Sequence, residues 1–224
     1  VSKKLEEKQR RRAAEEQRRN ELARAHRRQN LVTLGIVLLV GALVVFLVLK
    51  DRKDTGPSEN VGVAASEANC SEIETNEVAS RNHVDAGTDV QYDTSPPVGG
   101  DHWPPEAIAD TGFYTSPIDE ERLVHNQEHG QIVIWYNPDA PQGVQDDLEK
   151  VTDQEPAATA TAPYDDIKSP YNFALTAWQA GESQDSAGSG VTQFCELVSQ
   201  KVVDDFRRAY QGKGPEPITP PFRG

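Results

Sequence analysis

The longest apolar run in the chain is residues 31–49, nineteen positions without a charge, fifteen of them Leu, Val, Ile or Phe. At about 1.5 Å per helical residue it spans about 28 Å, close to the roughly 30 Å hydrocarbon core of a bilayer. A single transmembrane helix is the expectation. A cleaved signal peptide would carry an apolar core of about 7–15 residues followed by small residues, whereas Lys50-Asp51-Arg52-Lys53 follows here. Ahead of this anchor, residues 1–30 alternate acidic and basic blocks, with Glu6–Arg10, Glu7–Arg11 and Glu15–Arg19 spaced for i,i+4 pairing. Only Leu5 and Leu22 are large and apolar there, so the pattern predicts a solvated basic helix, not a coiled-coil seam.

Past the anchor the pattern shortens. Residues 50–68, with Gly56-Pro57-Ser58-Glu59-Asn60, read as a flexible stalk, and residues 69–224 as one α+β domain. Residues 131–136, QIVIWY, are apolar at both alternating sets of positions and predict a central strand stopped by Asn137-Pro138. FALTAW, residues 173–178, predicts a second strand, and residues 142–150 a short helix after Pro141. Residues 154–163, rich in Ala and Thr, read as a low-complexity loop. In residues 191–210, Phe194, Leu197, Val198, Val202, Phe206 and Tyr210 recur at steps of three and four, predicting a long helix ended by Gly212. The expected architecture is a small sheet packed by this long C-terminal helix, preceded by the single transmembrane helix and its basic extension.

Charge orients that arrangement. The net charge of −13 joins two opposite ends: residues 1–30 hold eleven Lys/Arg and five Asp/Glu, residues 54–224 nine and thirty. Positive residues before the anchor place the N-terminus in the cytoplasm and the C-terminal domain on the extracytoplasmic face of the cell membrane. The acidic domain lacks the clustered cations that nucleic-acid binding needs. The lipid bilayer is the expected partner, and a larger membrane protein complex docked on the acidic surface is a further candidate. On the outer face, two cysteines, Cys70 and Cys195, favour a disulfide.

The candidate chemistry lies in the histidines. Of five, His26 sits among the arginines of the basic helix, while His83, His102, His125 and His129 fall within 47 residues of the outer domain. Imidazole suits zinc and copper ions. Ser116-Pro117 could open a helix and Gly130 could close it, which puts His125 and His129 one turn apart on the same face. Upstream, Pro96-Pro97 and Gly99-Gly100 bracket a restrained loop that offers Asp101-His102-Trp103 to the sheet. The expected site is a transition-metal centre, copper or zinc, with His125 and His129 as ligands, His102 and His83 completing the shell, and Glu128 fixing an imidazole tautomer from behind.

Two rival readings use the same residues. His125-Asn126-Gln127-Glu128-His129 matches H-x-x-E-H, in which two histidines hold zinc and the glutamate activates water. That zinc-hydrolase reading makes Glu128 catalytic and needs a remote third ligand such as Glu196. The other rival is a non-catalytic accessory subunit with structural histidines. Whether the protein is an enzyme stays open, with a binding role preferred.

Together, SPPVGGDHW (residues 95–103), GFY (residues 112–114) and LVHNQEHGQIVIWY (residues 123–136) resemble a bacterial family catalogued as domain of unknown function 3105. The resemblance runs from about His83 to Tyr210 and implies a single-pass anchored protein with a basic amino-terminal helix. It ties His83, His102, His125 and His129 together as motif positions and implies no activity.

Overall fold

In a computed structural model, residues 62–183 and 186–224 are described, all within the compact unit Thr55–Gly224. The expected basic helix, anchor and first part of the stalk lie outside the described residues. No helix among the described residues is long and apolar enough to cross a membrane.

Six strands form one mixed sheet: β1 (Glu74–Glu77), β2 (Gly112–Phe113), β3 (Ile132–Tyr136), β4 (Thr159–Pro163), β5 (Phe173–Gln179) and β6 (Ser189–Cys195). Their spatial order is β1-β6-β5-β3-β4-β2. β4 runs parallel to both β3 and β2, and the remaining pairs are antiparallel. Three helices accompany the sheet among the described residues: α1 (Glu120–Glu128), α2 (Gln142–Gln154) and α3 (Gln200–Tyr210).

QIVIWY is the central strand its two-sided apolar pattern predicts, and every residue of β3 is buried. Ile132, Ile134 and Tyr136 join one cluster with Val144, Leu148 and Val151 of α2 and Val202, Val203 and Phe206 of α3. Val133 and Trp135 face the other way, into a cluster with Leu123 of α1, Ala160, Ala162 and Ala174. Alternation along one strand thus supplies two cores.

Two expectations are corrected. The Ala/Thr stretch at 154–163 contains β4, completely buried between β3 and β2. Its small side chains let the covering layers approach, and its hydroxyls find partners: Thr159 Oγ1 accepts from Arg207 at 3.0 Å and Thr161 Oγ1 meets Thr152 Oγ1 at 2.6 Å. Weak hydrophobicity is offset by ladder bonds on both edges and satisfied polar groups. The long helix expected over 191–210 is instead β6 followed by the 11-residue α3. Val191 and Phe194 pair across to Ala177 and Ala174 of β5, so sheet pairing overrides the helical spacing of this half. Ser199 then caps α3, its Oγ accepting from the Val202 N–H at 3.4 Å.

Cys70 and Cys195 are joined in a disulfide, and no free cysteine occurs among the described residues. The bond draws the start of the domain against β6. Residues before Cys70 follow: Ala68 is buried, Val63 and Ala65 pack on the larger cluster, and Ser199 Oγ donates to Val63 O at 2.6 Å. Among the described residues, packing therefore reaches back to Val63.

Candidate metal centre

α1 carries the centre of the site. It starts at Glu120 with Asp119 at the cap, slightly later than Ser116-Pro117 suggested, and its far end holds His125, Glu128 and, at the C-cap, His129. Gly130 turns the chain out of the helix at φ +82°, where a Cβ would stand 2.8 Å from Gly212 Cα. Gly99 shapes the second element. At φ +153° it lets the 95–103 loop lie so close to Trp178 of β5 that a Cβ would meet the indole at 2.8 Å. His102 emerges from this loop fully buried, its ring edge-on to Trp178 with centroids 5.8 Å apart.

His83 is brought in by a short parallel bridge to His102. The His102 N–H donates to Asn82 O at 3.0 Å and the Val84 N–H to His102 O at 2.8 Å. Asp101 Oδ1 accepts from both Asn82 N–H groups, at 2.8 and 3.0 Å, holding the two segments in register.

The four imidazoles expected from sequence converge. Ring centroids lie 4.8 Å apart for His83 and His102, 5.1 Å for His83 and His125, 4.9 Å for His102 and His125, and 4.8 Å for His125 and His129. One donor atom from each of His83, His102, His125 and Glu128 falls within 4.8 Å of the others, so this group could hold a metal ion. His129 stands outside that set of four but touches it, its Nε2 3.0 Å from His125 Nε2. Glu196, considered as a remote ligand, instead accepts from Asn69 Nδ2 at 2.9 Å.

Glu128 Oε2 lies 3.0 Å from His102 Nε2, within hydrogen-bond distance, and 3.7 Å from His83 Nε2, a position from which it could itself be a donor. Backbone carbonyls set the tautomers. Gly100 O lies 2.7 Å from His102 Nδ1, Trp103 O 2.6 Å from His125 Nδ1, and Glu216 O 2.8 Å from His129 Nδ1. A carbonyl can only accept, so each of these Nδ1 atoms carries a proton and each ring turns its Nε2 toward the cluster. The Nε2 atoms of His125 and His129 meet at 3.0 Å, and His102 Nε2 meets Glu128 Oε2 at 3.0 Å, so a cation, a metal ion or a proton, belongs between the members of each pair. A tetrahedral ion with bonds of about 2.0–2.1 Å spaces its donors roughly 3.4 Å apart; two of the observed separations, 3.0 and 3.7 Å, lie either side of that value, and the whole set lies within 4.8 Å.

Electrostatics agree with this arrangement. Burial pushes the His125 imidazole down to about 4, reinforced by His102 and His129 and opposed by the Trp103 carbonyl, so the ring is neutral and free to coordinate at neutral pH. Burial alone would raise the Glu128 carboxyl, but the hydrogen bond from His102 and the coulombic pull of that ring outweigh it and hold the group below its ordinary value. His102 and His125 are 0% exposed and Glu128 2%, whereas the His83 side chain is 42% exposed and forms the open side.

Fold and site together define an α+β domain with a buried histidine–carboxylate cluster able to take a cation. The chain belongs to the family described as protein of unknown function (DUF3105), whose family model matches residues 83–221. The match begins at His83 and takes in all five cluster residues. No curated protein and no solved structure matches the chain.

Glu128 as a donor was missed because its sequence context fits a base, a ligand or a supporting group equally well. The carbonyls of Gly100, Trp103 and Glu216 carry no residue-type signal at all.

Proposed function

We propose that the protein is a membrane-tethered, extracytoplasmic binder of a transition-metal ion. His83, His102 and His125 hold the ion with Glu128, and His129 completes the shell. The observation that carries this reading is the set of inward-facing Nε2 atoms, on rings held by carbonyls at Nδ1 and gathered with one carboxylate oxygen. Metal-ligating histidines almost always donate their other ring N–H in this way. Both cysteines of the chain are taken by the disulfide, so the donors are nitrogen and oxygen, a set that suits Cu(II) and Zn(II) and disfavours thiolate-seeking ions. The exposed His83 gives the ion a way in. Tethering rests on residues 31–49, and the outward placement of the domain on the excess of basic residues before them.

The test is metal binding by the full chain in detergent. About one equivalent of Cu(II) or Zn(II) is expected, lost when His102→Ala and His125→Ala are combined. Retention of the ion by that folded double variant overturns the site.

A further inference from the structure

The C-terminal segment after α3 does not leave the domain. It crosses the end of α1 and bonds to it repeatedly: Gly212 N–H to Gly130 O at 2.8 Å, Glu216 N–H to Glu128 O at 3.0 Å, and Ile218 and Thr219 N–H to His129 O at 3.3 and 3.1 Å. Its outer part is tied down by Gln211 Nε2 donating to Pro220 O at 3.0 Å. The carbonyls at a helix C-terminus lack intrahelical partners, and these main-chain bonds alone would amount to capping. The bond from His129 Nδ1 to Glu216 O at 2.8 Å is different in kind. It engages the imidazole, fixes its tautomer and aims Nε2 at His125 Nε2, 3.0 Å away.

Resting on the metal reading above, we infer that residues 212–219 are a working part of the metal centre. They form a clamp that presents His129 Nε2 to the cation held through His125 and sets how fast that cation leaves. Glu216 is a positioning residue, acting through its main-chain carbonyl on His129. The exposed His83 opens the cluster on one side, and the clamp holds the ligand at the end of α1.

A single methyl group can lift the clamp. A Cβ at Gly214 would collide with the Glu128 carbonyl oxygen and stand 2.6 Å from Gln127 O and 2.7 Å from Gly130 N, all main-chain atoms that cannot swing aside. Gly214→Ala therefore displaces the segment while keeping every ligand side chain.

The experiment loads the full chain with Cu(II) and follows transfer to excess EDTA through recovery of Trp178 fluorescence, since this indole lies against His102. Gly214→Ala and His129→Ala are each expected to speed release about tenfold or more, the scale on which supporting partners of a metal ligand act. The double variant should release no faster than His129→Ala alone, because a clamp that works through His129 has nothing to hold once the ring is gone. A purely structural role would make the two effects multiply, and that result overturns the clamp, as does unchanged release from Gly214→Ala. Should Gly214→Ala fail to fold, Ile218→Pro removes one bond to His129 O at an exposed side chain and takes its place in the same cycle, with the same outcomes. A parent chain that takes up no Cu(II) overturns the metal reading and the clamp together. Normal uptake with clamp-independent release overturns the clamp alone.

Discussion

Glu128→Gln separates a glutamate that binds the ion from one that merely stands near it. The substitution preserves shape and deletes one negative charge from a side chain that is 2% exposed. With three neutral imidazoles and Glu128 around a divalent ion, the site carries a net charge of about +1; with Gln it carries about +2, in surroundings where only His83 meets solvent freely. The amide oxygen can still coordinate, so the loss is chiefly the charge. A weakening of about 10- to 100-fold is expected, or roughly 1.4–2.8 kcal/mol, and its upper half is favoured because Oε2 lies only 3.0 and 3.7 Å from two donor nitrogens. Competition of the full chain against a chromogenic chelator for Zn(II), with melting of each apo form as the folding check, gives the ratio directly. A glutamate serving only as a base for zinc-bound water would leave affinity intact and abolish hydrolysis. A dissociation constant within threefold of the parent's, in a folded Glu128→Gln chain, would refute the placement of this carboxylate among the ligands.

Two further outcomes follow from the same geometry. The apo protein should lose stability as pH falls from about 6.5 to about 4: the unfolded His125 accepts a proton near 6.5 while the folded ring resists until about 4. The depressed Glu128 carboxyl acts in the same direction, its contribution present above its unfolded value and lost on acidification. Denaturant midpoints at pH 7, 5.5 and 4 should decline, and a flat series would contradict the burial argument. Replacing both Cys70 and Cys195 by Ser opens a loop with a sequence separation of 125, for which chain entropy gives about 4–5 kcal/mol. Chemical unfolding of the oxidised parent and this variant measures it, and a difference below about 1 kcal/mol would show that the bridge does little to restrict the unfolded chain.

The parts of the fold legible in the chain are those whose signal is local. QIVIWY announced a central strand because its apolar residues occupy both alternating sets of positions, and the His125/His129 pair announced a shared face because a helix brings residues four apart together whatever surrounds them. The closing turn at Gly130 and the loop stiffened by Pro96-Pro97 and Gly99-Gly100 were legible for the same reason. β4 and β6 were not. An Ala/Thr run is strand or loop according to whether two neighbours offer ladders, and Val191 to Cys195 carries a helical spacing that only its pairing with β5 overrules.

Residue types alone placed four imidazoles and a carboxylate in one domain, because metal-binding character belongs to side chains and travels with the sequence. Which atoms face inward was settled by contacts between distant segments. His102 meets Glu128 across 26 residues, His125 is turned by a carbonyl 22 residues away and His129 by one 87 residues away. A main-chain carbonyl is the same group at every position, so no reading of side-chain identity can tell which one will hold a ring; only the packed chain brings it there.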